Sequence, residues 1–506
     1  MQNNLLDYLY DIVDRVPDKT AFSNGTDKLS FKELYEECGA VASAVAERGI
    51  YKKPVVVFMK KSPAEISAFF GVIRSGNYYV PIDEEMPKIR IDLILDNVQT
   101  DLIICDESTI EIAKGFKYKC ELALYSDLIK HETDSEKLKF IYDHQIDTDP
   151  IYIVFTSGST GIPKGVVACH RSVIDYIEQL SETLGFNENT VFGNQSPLYF
   201  DACLKEVYPT LKFGATTYLI PRELFMIPVK LVEFINEHEI NTICWVVSAL
   251  TMISAFGTFK TVVPHTLRTI AFGSEVFPIK QYKLWKEALP EVKMTNLYGP
   301  TECTGMSCFF HVPENYDPEG PIPIGRPFKN TEILLLDDNG RLVPDGEQGE
   351  ICIRGTALTL GYYNNPEKTA ECFVQNPLNH VYPELIYKTG DIAKRDKDGN
   401  LIFVSRKDYQ IKHMGHRIEL GEIEANVSSM AGIRMNACIY DDEKGKIVLF
   451  YVGDMESAEL TSELKGSLPR YMLPNRVIKV DSLPLTPNGK LDRKTLKADY
   501  KSGARA

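Results

Sequence analysis

Residues 152–165 read YIVFTSGSTGIPKG, an apolar run followed at once by ten residues rich in hydroxyl groups and glycine. The β-branched and aromatic side chains of Tyr152 to Phe155 are typical of a buried strand. Glycine lets a backbone approach a ligand closely, hydroxyl and N–H groups donate to phosphate oxygens, and a lysine adds a mobile positive charge. We therefore predict a loop that wraps nucleotide phosphates, formed by Thr156, Ser157, Gly158, Ser159, Thr160, Gly161 and Lys164.

This loop differs from the two common phosphate-binding loops. A Walker A loop has the pattern Gly-x-x-x-x-Gly-Lys-Ser/Thr, but counting from Gly158 puts Pro163 at the second glycine, and Gly165 follows the lysine. The dinucleotide-binding pattern Gly-x-Gly-x-x-Gly is absent from it too. The loop therefore disfavours a P-loop ATPase or kinase.

Length and composition limit which classes of protein are possible. A chain of 506 residues exceeds one hydrophobic core, so two or more domains are expected. The formal charge of −14 argues against a nucleic-acid partner. Eleven cysteines without a Cys-x-x-Cys pair, and a start unlike a signal peptide, favour a cytoplasmic location. No apolar run approaches the ~20 residues of a membrane helix, so no membrane insertion is expected.

The order of elements predicts an α/β fold. Helical patterning covers Lys32 to Ala46, and Ser62-Pro63-Ala64-Glu65 predicts the start of a second helix. Strands are predicted at Tyr78–Ile82 and Leu102–Cys105, and a helix from about Ser172. Strands that alternate with helices indicate largely parallel, covered sheets.

Beyond residue 320 the pattern changes to antiparallel β-structure. The Asn339-Gly340 and Asp398-Gly399 turns each separate two apolar segments, which is a strong hairpin signal. From about residue 408 a small mixed α+β segment is predicted.

Two further motifs carry polar groups suited to a nucleotide. In 296–302, NLYGPTE, an aromatic ring precedes a tight turn and a carboxylate, which suits a stacking face for a base and a ligand for Mg²⁺. In 387–391, YKTGD, a carboxylate after a glycine turn can accept hydrogen bonds from two vicinal hydroxyls. Two more motifs follow, GHRIELGEIE at 415–424 and LTPNGKLDR at 485–493, in which Lys490 sits at the tip of an Asn-Gly turn.

These motifs, in this order, resemble the adenylate-forming superfamily of acyl-CoA synthetases, luciferases and adenylation domains of nonribosomal peptide synthesis. The resemblance covers residues 25 to 493. It implies a large N-terminal α/β domain, 1–405, of two helix-covered sheets plus a β-barrel-like subdomain. A hinge at 406–408 centred on Asp408 and a small mobile α+β C-terminal domain, 409–506, would follow.

The resemblance also implies roles for the motif residues. Tyr298 would pack on adenine, Thr301 would meet the α-phosphate, and Glu302 would hold Mg²⁺. Asp391 would bind the ribose, and Arg406 would lie near the ribose and phosphate, although Ser405 replaces the glycine that usually precedes the arginine. Lys490 would bridge the substrate carboxylate and phosphate. The predicted catalytic residues are Lys490, Thr301 and Glu302, with Asn296 and Gly299 added to the ATP site.

The same resemblance places an amino-acid pocket at Phe200-Asp201-Ala202-Cys203-Leu204-Lys205-Glu206. In amino-acid-activating members the aspartate holds the α-ammonium group, which points to Asp201. Lys205 would pair with a side-chain carboxylate or another acceptor, or point to solvent, and Phe272 would shorten the pocket. Small or acidic amino acids are therefore favoured. The other pocket positions implied are Ala202, Cys244, Ile270, Leu297, Gly305 and Met306.

In its length and motifs the chain is similar to D-alanine–carrier-protein ligases and free-standing adenylation domains. No Gly-Gly-x-Ser carrier segment follows, so we expect a free-standing, monomeric enzyme that uses ATP and Mg²⁺ and loads a separate phosphopantetheinylated carrier protein. Two alternatives stay open: an acyl- or aryl-CoA ligase that uses coenzyme A, and a non-catalytic nucleotide-binding regulator.

Overall fold

A computed structural model describes residues 2–158, 162–316, 320–484 and 491–504. The contacts between residues divide the chain into two compact units. The larger unit takes in Met1–Glu84, Val98–Val154 and Gly165–Lys407. The smaller unit takes in Asp408–Ala506 together with two internal segments, Glu85–Asn97 and Phe155–Lys164. The chain thus passes from one unit to the other between Lys407 and Asp408, while the predicted hinge at 406–408 stays a prediction.

The first sheet, counted over the described residues, has six strands. The middle strands are parallel and buried on both faces, which explains why they read as continuous apolar runs. In spatial order the strands are Glu121–Leu124, Leu102–Cys105, Pro54–Phe58, Tyr78–Pro81, Pro150–Thr156 and Lys164–Cys169. The predicted strands at 78, 102 and 152 are therefore confirmed.

A second sheet has nine strands in the described part of the chain. Its centre is parallel, and antiparallel pairs close both edges. In spatial order the strands are Arg326–Pro327, Cys308–Val312, Lys293–Tyr298, Thr269–Gly273, Thr242–Val246, Val191–Asn194, Thr216–Leu219, Thr20–Ser23 and Lys28–Ser30.

Helices cover these sheets, and their N-terminal caps follow the sequence. Ser30 and Glu33 form a capping box at the start of the helix Phe31–Glu47, and the Ser62 side chain accepts from the backbone N–H of Glu65. The helices of the larger unit are Asp7–Arg15, Phe31–Glu47, Pro63–Arg74, Ile110–Lys114, Tyr125–Leu128, Ser135–Asp143, His170–Leu184, Leu204–Phe213, Pro228–Glu237, Val247–Ala255, Ile279–Ala288 and Pro366–Cys372. The helix expected from about Ser172 begins two residues earlier, at His170.

The predicted antiparallel region is confirmed. The strands Thr331–Leu336, Gly349–Gly355, Leu385–Arg395, Phe373–Gln375 and Leu401–Arg406 form one sheet of five, as far as the chain is described. Gly340 and Gly399 have φ of +74° and +78°, in the left-handed region that their turns require.

The smaller unit combines helices with two small sheets, as expected for an α+β domain. The hairpin Gln410–His413 with His416–Glu419 precedes a sheet of Ile433–Asp441, Lys446–Gly453 and Arg476–Lys479. Its helices are Lys88–Val98, which ends at the unit boundary, Leu420–Ser428, Ser457–Ser467 and Arg493–Lys501. None of the helices in the described residues is long and apolar enough to cross a membrane.

One buried histidine couples the stability of the larger unit to pH. His170 is fully buried; its Nδ1 accepts the backbone N–H of Leu5 at 3.0 Å, and its Nε2 has no partner. Burial lowers the pKa of His170 from 6.5 to about 4. Because the folded state binds this proton less readily than the unfolded chain, stability falls as pH drops from about 6.5 towards 4.

We predict that His170 removes about 2 kcal/mol of unfolding free energy between pH 7 and pH 5. The change His170→Asn keeps an acceptor for the Leu5 N–H but does not titrate, so its stability should fall less over that interval. Urea unfolding followed by the fluorescence of Trp245 and Trp285, both in the larger unit, measures the difference. Parallel pH profiles for the two proteins would contradict the assignment.

Candidate active site

The buried carboxylate of Asp391 binds two other predicted ATP-binding residues. Asp391 Oδ2 accepts the Tyr298 hydroxyl at 2.5 Å, and Asp391 Oδ1 accepts Arg406 Nη1 at 2.6 Å. Asp391 and Arg406 are cross-strand partners, while Tyr298 ends a strand of the nine-stranded sheet. The structure thus brings together an aromatic ring, a carboxylate and a guanidinium from separate segments.

Backbone hydrogen bonds hold the turn that carries Asp391. Its own N–H donates to Thr389 Oγ1 at 3.0 Å, and the N–H of Gly390 donates to Glu350 Oε1 at 3.0 Å. Burial, followed by the charge of Asp391, raises the pKa of Tyr298. The tyrosine therefore stays protonated and donates its hydrogen to the carboxylate.

Glu302, the predicted Mg²⁺ ligand, lies in a turn that the backbone holds tightly. The side chain is fully buried, and its Oε1 accepts the Tyr362 hydroxyl at 2.7 Å. The Glu302 carbonyl accepts both the N–H and the hydroxyl of Thr359, at 3.0 and 2.9 Å. These bonds place a carboxylate at a fixed position next to Thr301, which is half-buried.

The other residues of this motif support the turn. A Cβ on Gly299 would lie 2.3 Å from the Gly305 carbonyl oxygen, so only glycine fits there. Asn296 Nδ2 donates to the carbonyls of Ile322 and Pro323, at 3.3 and 2.8 Å. In this structure the Asn296 side chain therefore stabilises the segment that contains Ile322 and Pro323.

The described part of the predicted phosphate loop belongs to the smaller unit, and its polar groups are engaged there. Ser157 Oγ donates to the Arg417 carbonyl at 2.9 Å, and Lys164 Nζ lies 3.7 Å from Glu419 Oε1. Thr156 Oγ1 meets the Lys164 carbonyl at 3.5 Å. A Cβ on Gly158 would lie 2.0 Å from the Ile162 carbonyl oxygen, which explains this glycine.

A glutamate of the smaller unit binds the backbone of the loop. The Gly158 N–H donates to Glu422 Oε2 at 3.2 Å, and Glu422 Oε1 pairs with Arg90. The Arg90 and Glu422 side chains are both more than nine-tenths buried. The Glu422 carboxylate thus accepts the hydrogen bond of an N–H group that is predicted to bind a phosphate oxygen.

The residues predicted for an amino-acid pocket lie on two faces of the nine-stranded sheet. Cys244, Leu297 and Met306 belong to one core cluster, while Ile270 and Phe272 belong to another. The parallel register pairs Cys244 with Ala271 and Leu297 with Gly273, and residues alternate between faces along a strand. The structure therefore does not bring Ile270 and Phe272 together with the other three.

Phe272 packs away from the predicted pocket. Its ring lies against Phe277 with centroids 5.0 Å apart, within the cluster that contains Trp245. Because the ring is on the face opposite Leu297, it gives no support to the expectation that Phe272 shortens the pocket.

Three further pocket residues lie near the start of the helix Leu204–Phe213. Asp201 and Ala202 are half-buried in a short 3₁₀ turn, and Lys205 is buried on the first turn of the helix. Gly305, with φ of +95°, faces Tyr176, whose ring would lie 3.0 Å from an added Cβ.

Four predicted residues, Ser159, Thr160, Gly161 and Lys490, lie outside the described residues. Asp408 is described: its Oδ1 accepts the Gln410 N–H at 3.2 Å. The hinge role of Asp408 stays a prediction.

Two family models match the chain. The model "AMP-binding enzyme" matches residues 9–363, and "AMP-binding enzyme C-terminal domain" matches 422–490. The chain belongs to the AMP-binding enzyme family. The predicted membership of the adenylate-forming superfamily is thereby confirmed.

Individual relatives agree with this placement. The AMP-binding enzyme is 32% identical to tyrocidine synthase 1 of Brevibacillus parabrevis over 486 residues, 95% of this chain and 43% of that protein. It is 33% identical to zwittermicin A synthase ZmaJ of Bacillus cereus over 498 residues, 96% of this chain and 93% of that protein. Most of the similar synthases are much longer: the chain spans 8–13% of six of them.

A solved structure confirms the fold. The Vibrio cholerae adenylation domain AlmE, in complex with glycyl-adenosine-5'-phosphate, superimposes with a TM-score of 0.86 at 22% identity, covering 99% of this chain and 98% of that one. The match extends to an adenylation-domain architecture with a large N-terminal and a small C-terminal domain.

Sequence reasoning missed two residues of this AMP-binding enzyme. Tyr362 orients Glu302 from 60 positions away, and Arg90 pairs with Glu422 from 332 positions away. Neither residue stands in a recognisable motif, so only the fold reveals them.

We predict that Asp391→Asn weakens ATP binding by at least about tenfold, since the amide loses the charge that organises Tyr298 and Arg406. Isothermal titration with ATP measures the effect. Asp398→Asn changes an exposed carboxylate in the hairpin turn and serves as the matched control. Equal ATP affinity in the two variants would contradict a nucleotide-binding role for Asp391.

Removing the charge of Glu422 should change the affinity for ATP in the opposite direction. In Glu422→Gln a neutral amide competes less well for the Gly158 N–H, so we expect ATP to bind roughly tenfold more tightly. The same titration measures this gain, with Glu424→Gln as a control on the same helix. Unchanged or weaker binding in Glu422→Gln would show that the carboxylate does not compete with phosphate.

Proposed function

We propose that this AMP-binding enzyme activates an amino acid with ATP, giving an aminoacyl-adenylate and pyrophosphate, and passes the acyl group to a carrier-protein thiol. The observation that carries the proposal is the buried cluster of Tyr298, Asp391 and Arg406. Its ring, carboxylate and guanidinium suit a base, a ribose and a phosphate, respectively. Membership of the AMP-binding family gives the reaction class.

Several observations support an amino acid as the acid. The relatives above 30% identical include tyrocidine synthase 1 and zwittermicin A synthase ZmaJ, and the AlmE adenylation domain of the same fold was solved with glycyl-adenosine-5'-phosphate, an aminoacyl-adenylate. Asp201 stands where the motif resemblance expects the partner of an α-ammonium group.

We also propose a separate carrier protein and a free-standing enzyme. ZmaJ supports this, because the match takes in nearly all of that protein. Coenzyme A is the alternative acceptor, and the two differ in whether a carrier protein is required.

The chemistry of the first step needs charge compensation more than proton transfer. A carboxylic acid is already ionised at neutral pH. The barrier therefore lies in bringing this anion to the α-phosphate of ATP, which is itself negatively charged. A carboxylate oxygen forms a bond to the α-phosphorus, the bond to the bridging oxygen breaks, and pyrophosphate departs. In the second step the thiol sulfur attacks the acyl carbonyl, AMP departs, and the thiol proton is released.

Glu302 fits a role as the protein ligand of Mg²⁺. Magnesium in nucleotide enzymes is held by one or two carboxylates plus substrate phosphates, so a single buried glutamate is sufficient. When bound, the ion supplies positive charge to the phosphate oxygens. Tyr362 keeps the Glu302 carboxylate in position.

The remaining charges come from the chain. Arg406 would neutralise phosphate next to the ribose, and Lys164 would guide the outer phosphates. Lys490 would bridge the substrate carboxylate and the α-phosphate. The role proposed for Lys164 rests partly on the motif resemblance. The role proposed for Lys490 rests on that resemblance alone.

Exchange of labelled pyrophosphate into ATP tests the proposal. The assay should be run with L- and D-amino acids, aryl acids and fatty acids, and we expect exchange with an amino acid. Lys490→Ala should lower the exchange by at least about 100-fold, because the bridging charge is lost from the transition state. Lys494→Ala, which removes an exposed lysine of the next helix, should exchange normally.

The outcomes separate the alternatives. Exchange only with fatty or aryl acids, followed by acylation of coenzyme A without any carrier protein, would make the enzyme a CoA ligase. ATP binding without exchange for any acid would refute the proposed activity. Equal exchange in the two lysine variants would refute the role of Lys490.

A further inference from the structure

The turn that carries Asp391 is a bulge in its strand. In the strand Leu385–Arg395, the three residues 389–391 face a single residue, Ile351, on the neighbouring strand. A bulge of this kind bends the backbone, changes the direction of its side chains and takes backbone groups out of the ladder. The direction of Asp391 therefore depends on which groups bind the bulged backbone.

Glu350 supplies a hydrogen bond that the ladder does not provide at the bulge. Its Oε1 accepts the N–H of Gly390 at 3.0 Å, at the centre of the bulge. Gly390 has a φ of +74°, in the left-handed region that favours glycine. Because a backbone N–H outside the ladder needs another acceptor, the Glu350 side chain stabilises the bulged conformation directly before Asp391.

The carbonyl of the same residue is bound from the other side by Lys407. The Gly390 carbonyl accepts the backbone N–H of Lys407 at 2.8 Å. The side chain of Lys407 then returns to the glutamate, with Nζ 3.1 Å from Glu350 Oε2. Glu350, Gly390 and Lys407 thus form a closed ring of two hydrogen bonds and one ion pair around the bulge.

The ion pair keeps this ring charged. The Glu350 side chain is only 6% exposed, and Lys407 Nζ also lies 2.7 Å from Asp338 Oδ1. Burial lowers the pKa of Lys407, but hydrogen bonds to Asp338 and Glu350 outweigh burial and raise the pKa above its ordinary value. A second cation, Lys388, lies farther from Glu350 Oε2, at 3.9 Å. Lys407 is therefore the nearest charge that compensates the buried Glu350 carboxylate.

Asp391 retains the capacity to bind a ligand. Tyr298 donates to one of its oxygens and Arg406 donates to the other. An ionised carboxylate has about four acceptor positions, so two remain for the vicinal hydroxyls of a ribose. Hydrogen bonds weaken steeply with a poor angle, so both bonds to the ribose require a carboxylate that is held in one direction.

We propose that Glu350 is a positioning residue for ribose recognition; the inference rests on the proposed function, in which Asp391 binds the ribose. Glu350 holds the bulge at Gly390 and thereby directs the Asp391 carboxylate towards the ribose hydroxyls. Lys407 holds Glu350 in place. Glu350 acts through the backbone of the bulge and not by contact with the nucleotide.

Binding of ATP and of 2',3'-dideoxy-ATP, compared by isothermal titration, measures ribose recognition. The two nucleotides differ only in the two hydroxyls, so the ratio of their Kd values isolates the interaction assigned to Asp391. A hydrogen bond to a charged group changes an equilibrium constant by about tenfold or more, so the wild type should prefer ATP by at least about tenfold.

Variants of Glu350 test the positioning role. Glu350→Ala removes the acceptor of the Gly390 N–H and should reduce the preference for ATP to below about threefold. Glu350→Gln keeps an oxygen at the same distance along the side chain and should retain most of the preference. Glu332→Ala removes an exposed carboxylate of the same sheet that pairs with Arg354, and it should keep the wild-type preference as the matched control.

Variants of Lys407 test the ion pair without removing the Glu350 side chain. Lys407→Met should reduce the preference for ATP, and Lys407→Arg should retain it, because arginine keeps the positive charge. The Lys407 side chain is 38% exposed, so these variants decide the question if Glu350→Ala does not fold. In that case an unchanged preference in Lys407→Met would overturn the inference.

Kinetics separates positioning from a general loss of structure. In pyrophosphate exchange, Glu350→Ala should raise the KM for ATP by at least about tenfold and leave kcat within about threefold, because the ribose is bound equally before and during the reaction. A fall in kcat with an unchanged KM would overturn the positioning role.

The titrations distinguish failure of this inference from failure of the proposed function. A wild-type preference for ATP that persists in Glu350→Ala would overturn the positioning role alone. Equal affinity of the wild type for the two nucleotides would overturn the ribose role of Asp391 and this inference with it. No exchange with any acid, together with a preference that Glu350→Ala loses, would refute the proposed activity and support the positioning role.

Discussion

The proposed nucleotide site depends on the buried carboxylate of Asp391. It is 3% exposed and accepts hydrogen bonds from Tyr298 and Arg406, so its negative charge is compensated inside the protein. Hydrogen bonds to a charged group are stronger than neutral ones, and they orient both partners. Because the tyrosine ends a strand of one sheet and the arginine a strand of another, the cluster also ties the antiparallel region to the nine-stranded sheet.

The two ends of the reaction are organised by different physical means. Around Glu302, Tyr362 donates a hydrogen bond to the carboxylate and Thr359 donates to the backbone carbonyl, so both the side chain and its backbone are held in place. Near Asp201, by contrast, the buried hydroxyls of Tyr152 and Tyr176 have no hydrogen-bond partner within the described structure. A firmly held carboxylate for the proposed metal and a less constrained pocket together suit an enzyme that uses one nucleotide but selects among acids.

Much of the fold could be predicted because it follows from local rules. The capping serine Ser62, the apolar runs and the turns at Gly340 and Gly399 each determine nearby backbone, and the structure agrees with them. The pocket could not be predicted as well. A shift of one residue along a strand moves a side chain to the opposite face, which separates Ile270 and Phe272 from Cys244. Contacts between residues that are far apart in the sequence cannot be predicted from a local motif.

The central claim is that the acid's own oxygen attacks the α-phosphorus of ATP, and an isotope measurement tests it most directly. The enzyme is supplied with its amino acid labelled with ¹⁸O in the α-carboxylate, ATP and an acyl acceptor. Mass spectrometry then locates the label. Our account predicts one ¹⁸O in the AMP and none in the pyrophosphate. Label in inorganic phosphate, with ADP as the product, would contradict it and assign the enzyme to acyl-phosphate chemistry.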